Sequence, residues 1–137
     1  GTLDGNVSVH GTLAPGSSPG TMTITGTLTL ADSATTAIEL QADDVYDRIV
    51  LAEGGVVLDG ALEVSLLGGY DPSVDTTFTI LSGATSTNGQ FDSVTSGYEV
   101  AYTADGFALS VIPEPGSIGL YAGALALAML VRRARQR

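Results

Sequence analysis

The chain has 137 residues, no cysteine and a formal net charge of −10, so it holds one modest core and a tail, without a disulfide framework, a thiolate metal site or a cysteine nucleophile. Fourteen of its fifteen acidic residues precede Pro113, against the single cation Arg48, whereas Arg132, Arg133, Arg135 and Arg137 crowd the last six positions. Nucleic-acid binding draws on Lys and Arg neutralising phosphates, so so acidic a body is not expected to take DNA or RNA as a partner.

Glycine and threonine are abundant, aromatics are few and lysine is absent, a composition that suits strands and turns rather than helices. Val7–Val9 reads as a first strand, with His10, the only histidine, at its end. A lone histidine without cysteine makes no transition-metal site. Ala14 to Gly20 carries two prolines and two glycines and reads as a loop. From Thr21 to Leu30 the alternation is strict: Met22, Ile24, Leu28 and Leu30 share one face and the threonines the other. Gly26 breaks this run into two shorter strands. Met22, Ile24, Leu28 and Leu30 are expected to point into the core.

Further strands are expected at Ala37–Leu40, Tyr46–Leu51, Val56–Leu58, Ala61–Leu67 and Thr77–Leu81. Asp43, Asp44 and Asp47 cluster at a turn. Their spacing fits neither an EF-hand nor a glycine-aspartate repeat, so a solvated acidic loop is expected and calcium binding is left open. Arg48, beside them, is the only residue that suggests a lyase-type base, and its surroundings read as structural. Asp59-Gly60 is either a hairpin turn or a corner between strands of different sheets. Used throughout, the hairpin reading gives an antiparallel sandwich. Tyr98–Thr103 and Phe107–Ile112, flanking Ala104-Asp105-Gly106, form a closing antiparallel hairpin. No glycosidase carboxylate pair, serine elbow or phosphate loop stands out. Catalytic residues, metal ligands and cofactors are therefore all expected to be absent.

Gly-Thr-Leu recurs at Gly1, Gly11 and Gly26, with Gly60-Ala61-Leu62 as a variant, at unequal spacing. Leu13-Ala14-Pro15-Gly16-Ser17-Ser18-Pro19-Gly20-Thr21 with Gly26-Thr27-Leu28 resembles the entry of autotransporter-like β-helix proteins. Tyr46–Leu51, Leu58–Val64, Phe78–Leu81 and Gly89–Val94 are similar to their last rungs. The resemblance implies a right-handed parallel β-helix, a solenoid near its C-terminal cap, and no catalytic residues.

Residues Gly116 to Val131 are free of charge. As a helix they span about 24 Å at about 1.5 Å per residue, a short crossing of a hydrocarbon core of about 30 Å. The expected transmembrane helix includes Ile118, Gly119, Gly123, Leu125, Leu127 and Val131, with Gly119 and Gly123 at a helix-pairing spacing. The four terminal arginines then form a cytoplasmic stop, leaving the acidic body outside. Pro113-Glu114-Pro115, the apolar segment and the arginine cluster together resemble the PEP-CTERM sorting signal. That resemblance implies processing by an exosortase, a membrane-embedded cysteine transpeptidase or protease, near Pro113, Glu114 and Pro115. Release would follow, to the cell surface or an exopolysaccharide matrix.

The expected organisation is a β-solenoid domain over 1–112, continuing upstream of Gly1, and a sorting and anchor segment over 113–137. The expected function is that of a non-enzymatic surface or matrix protein of structural or adhesion type, tethered to the inner membrane before processing. Its expected partners are the exosortase, the membrane and exopolysaccharide. The alternative is a polysaccharide-active β-helix enzyme, lyase or hydrolase, with catalytic rungs upstream.

Overall fold

The computed structural model describes residues 1–16 and 18–113. Among them the protein is all β, without a helix, and its sheets are mostly parallel. The chain visits three sheets in turn and does so four times. The first circuit is β1 (Thr2–Leu3), β2 (Val7–Val9) and β3 (Thr12–Leu13). The second is β4 (Thr21–Ile24), β5 (Leu28–Leu30) and β6 (Thr35–Ala42), from which β7 (Val45–Tyr46) folds back. The third is β8 (Arg48–Leu51), β9 (Val56–Leu58) and β10 (Ala61–Leu66). The fourth is β11 (Thr77–Ser82), β12 (Thr87–Gly89) and β13 (Ser93–Val94), followed by the hairpin β14 (Tyr98–Thr103) and β15 (Gly106–Val111).

Each strand of a circuit pairs in parallel with the strand one circuit earlier. The first sheet runs β1-β4-β8-β11-β15-β14, the second β12-β9-β5-β2 and the third β13-β10-β6-β3. Only three pairs are antiparallel: β6 with β7, β11 with β15 and β14 with β15. The antiparallel sandwich is thereby overturned. Val56–Leu58 and Ala61–Leu66 lie in different sheets, so Asp59-Gly60 is a corner and not a hairpin turn. Gly60 has φ +78°, and a Cβ there would stand 2.1 Å from the Ala34 carbonyl oxygen of the previous circuit. Only glycine fits so close a stack.

The core lies between the three sheets because the longer strands alternate, apart from the register shift in β11, where Ile80 and Leu81 are both buried. In register, Leu3, Ile24 and Leu51 form one inward column and Val7, Leu28 and Val56 another. Ile24, Leu28 and Leu30 are buried as expected, while Met22 is half-buried against the core. Burying such a side chain contributes about 1.5–3 kcal/mol. One column breaks the apolar rule: Thr36, between Leu13 and Leu62, is 1 % exposed and its hydroxyl has no partner.

Several strand boundaries shift. Tyr46–Leu51 is two strands, with Asp47 between them, and Ala37–Leu40 is the middle of the longer β6. The closing hairpin stands, with Phe107, Leu109 and Val111 facing the core and Tyr98, Val100 and Tyr102 half-buried. It ends the stack: β15 joins the first sheet antiparallel to β11, and Phe91 packs edge-on to Phe107 at 5.1 Å. The Phe91 amide also donates to the Tyr102 hydroxyl at 3.0 Å.

Glu114, Pro115, the expected transmembrane residues and all four terminal arginines lie outside the described residues. No helix among the described residues is long and apolar enough to cross a membrane.

Candidate functional site

Two places gather polar and aromatic groups that strand alternation alone does not require. The first is where the chain leaves the body. β15 is held to its end: the Val111 amide donates to the Thr76 carbonyl at 3.0 Å, and the Val111 carbonyl accepts from Asp75 at 2.9 Å. The Ile112 amide donates to the Gly97 carbonyl at 3.0 Å. Pro113 has no amide and continues no ladder. Of the expected sorting motif it is the described residue, half-buried.

A groove of about 610 Å³ opens here, with Val64, Leu66, Val74 and Val111 on its walls and Ile112 and Pro113 at the chain's exit. Leu66 and Val74 are 44 % and 52 % exposed, unusual for residues of their kind. Asp71 and Tyr98 supply the polar rim. Burial, with the Asp71 charge as the smaller cause, raises the Tyr98 hydroxyl above its ordinary value, so it is a neutral donor at physiological pH. The sequence gives no hint of this groove, because its walls come from β10, the following loop and the last circuit.

The second place is the acidic turn. Asp43, Asp44 and Asp47 are close in sequence, but they do not share one task. Asp47 is 3 % exposed, which corrects the expectation of a fully solvated acidic loop. Its carboxylate accepts the Gly20 amide at 2.7 Å and the Glu39 amide at 2.8 Å, tying the loop before β4 to β6. Burial raises its pKa; the two amides pull it down, and the Glu39 charge pushes it up. The hydrogen bonds hold a carboxylate in a place that disfavours its charge. Asp43 accepts the Tyr70 hydroxyl instead. Burial first, then the Asp43 hydrogen bond and charge, push Tyr70 up to about 12. Asp44 is exposed.

Arg48 is exposed and stacks its guanidinium 4.4 Å from the centroid of Tyr46. Tyr46 and Tyr70 meet Phe78 edge-on at 5.1 and 6.4 Å. Arg48 therefore caps an aromatic cluster, which contributes to packing and leaves its charge on a ring face. His10 is exposed, and its carbonyl accepts the Ser33 hydroxyl at 2.9 Å. Among the described residues no three His, Asp or Glu side chains converge in a way that would hold a metal ion.

A column of carboxylates, Asp32, Asp59 and Asp92, went unnoticed in the sequence. Each follows the second-sheet strand of its circuit, so stacking brings them together. The Asp59 charge is the largest cause raising the Asp92 carboxyl, with burial, an Asp59 hydrogen bond and Asp32 adding to it, against the Gly60 backbone. The sequence signal was an Asp one to three residues after the second-sheet strand in the second, third and fourth circuits, visible only once the circuit lengths are known.

No protein-family model matches the chain, and no curated protein matches it.

Proposed function

We propose that the chain is an exported surface or matrix protein of structural or adhesion type, a right-handed parallel β-helix released from a C-terminal membrane anchor. No catalytic role is proposed for it. The observation that carries the reading is the junction. Among the described residues the last backbone amide to donate is that of Ile112, and in the sequence Pro113-Glu114-Pro115 follows at once, without a linker. Two prolines around Glu114 disfavour helix and strand pairing and keep that stretch extended for a processing enzyme. The charge-free run Gly116 to Val131 and the arginines behind it supply an anchor with the acidic body on the outer side. The four circuits support the β-helix, since each adds parallel strands to all three sheets in the same order.

The test is the size and membrane fractionation of the tagged protein in a host with an exosortase and in one without. Processing and release are expected only in the first host. Replacing Pro113 and Pro115 with Ala should leave insertion intact and block processing. Leu125→Arg should hinder insertion itself, since a central charge costs about 2.5–3.5 kcal/mol on the insertion scale. Equal retention of the tail in both hosts would show a permanent anchor and end the sorting assignment.

A further inference from the structure

The third sheet stops short over one half of β10. On one side β6 pairs with the whole strand, from Ala61 to Leu66, whereas on the other β13 pairs only with Ala61 and Leu62. The next residue of the fourth circuit, Thr95, accepts the Val64 amide on its hydroxyl at 2.9 Å. The chain then turns away through Ser96 and Gly97 into the closing hairpin. The groove beside Pro113 occupies the place of the missing half-strand.

Its wall carries the mark of that omission. Leu66 stacks in register on Leu40, which is fully buried, yet Leu66 is itself 44 % exposed. The backbone is open there too. The Leu67 amide donates to the Leu40 carbonyl of the previous circuit, while the Val64 amide donates the opposite way, to Thr95. Alternate residues of a parallel strand serve opposite neighbours, so the Val64 carbonyl and the Leu66 amide face the groove. An apolar wall along such a strand edge is the setting in which an extended peptide adds as one more strand.

Position selects the occupant. Ile112 and Pro113 line the same groove, and Glu114 and Pro115 are the next two residues in the sequence. Two residues span at most about 7 Å. An enzyme that grips Pro113-Glu114-Pro115 therefore lies against the groove. The motif itself is a poor strand for that edge, because its prolines have no amide to donate.

We propose that the groove is a second recognition surface for the enzyme that processes the sorting motif, taking an extended apolar segment of that enzyme as a strand along Val64 to Leu66. With Asp71 at the rim of an acidic body, a basic residue beside the apolar ones completes the segment's match. The inference rests on Pro113-Glu114-Pro115 being a processing site. The body then takes part in its own release, and the tail on another body is a poorer substrate.

The test is pulse–chase processing of the full tagged chain in a host that has an exosortase, with membrane insertion measured alongside. Leu66→Gln with Val74→Gln changes two groove side chains that are 44 % and 52 % exposed. Processing should slow about tenfold or more, the scale of a hot-spot side chain, with insertion unchanged. Val57→Gln, at a comparably exposed position outside the groove, should leave the rate as it is. If the double substitution disturbs the fold, a flexible glycine-serine linker between Ile112 and Pro113 separates motif from groove and leaves the body untouched. It should slow processing to the same degree. An unchanged rate in the double variant or in the linker form overturns the inference and leaves the sorting reading standing. Faster processing of the double variant would assign the groove to the chain's own tail, and loss of cross-linking between copies would assign it to a second copy; either result overturns the inference. Equal retention of the wild-type tail with and without the exosortase removes the sorting reading and this inference together.

Discussion

The two ends of the body are built from the same kind of strand, yet their side chains end up in different places. At the hairpin end Phe107 is 1 % exposed and Leu109 fully buried, and Phe91 packs edge-on against Phe107. In the first circuit Leu3 is 42 % exposed, although it belongs to a Gly-Thr-Leu like those that bury Leu13 and Leu28 to 6 % and 0 %. Leu28 has a circuit on either side of it, whereas Leu13 shares the first circuit with Leu3 and is buried all the same. In a stacked fold a side chain is buried by whatever lies over it, so composition fixes which face is apolar and its cover in the fold fixes how much of it is hidden.

The sharpest way to break that comparison is to truncate one side chain at each end. Phe107→Ala should lose about 3–5 kcal/mol of unfolding free energy, as for a large aromatic removed from a packed core. Leu3→Ala should lose under about 1 kcal/mol, as for surface positions. Chemical denaturation of the two variants reads the difference, and equal losses would mean that the first circuit is covered.

The corner glycines offer a second contrast within one column. Gly60→Ala forces a left-handed conformation and a contact with the Ala34 carbonyl, a cost of at least about 1–2 kcal/mol. Gly11 stands in the same corner two circuits earlier, with nothing near its missing Cβ. Gly11→Ala should leave the melting temperature of the monomer unchanged, and a clear fall in it would contradict the open space.

A smaller effect sits in the second circuit. Thr36 buries an unpartnered hydroxyl between Leu13 and Leu62. Thr36→Val removes it at nearly constant shape and should raise stability by about 1–3 kcal/mol at most. A loss of stability would show that the hydroxyl has a partner, such as a buried water.

The smallest effect follows the carboxylate column that runs along the stack. Asp92 has its pKa raised in the folded protein, chiefly by Asp59. The folded state then holds the proton more tightly than the unfolded chain, so this pair's contribution to stability falls as pH rises through that range and is regained as pH drops from neutral towards the ordinary carboxylate region. Asp59→Asn should flatten that part of the melting-temperature profile. An unchanged profile would show that solvent screens the pair.

Much of the body was legible in the sequence because alternation is a local signal. Val7–Val9, Val56–Leu58 and the turn at Gly26 follow from apolar residues at every second position, and the closing hairpin from two such runs around Asp105-Gly106. Two-residue strands such as Thr2–Leu3 and Thr12–Leu13 carry no period and were missed. The Gly-Thr-Leu motif was visible but misleading as a repeat. It enters the first sheet at Gly1, the third at Gly11 and the second at Gly26, so it marks corners and not circuits. Asp47 was misjudged because its neighbours Asp43 and Asp44 are exposed. Its burial depends on amides of Gly20 and Glu39 that folding brings to it.

By itself, then, the sequence determined the longer strands and their inward faces, the closing hairpin and the division of charge between body and tail. These depend on neighbours one to four residues away. The tertiary structure decided which strand stacks on which, that Asp59-Gly60 turns a corner, and that Asp32, Asp59 and Asp92 form a column. Each of these depends on which circuit lies above which, and loops of unequal length hide that register from any periodicity in the chain.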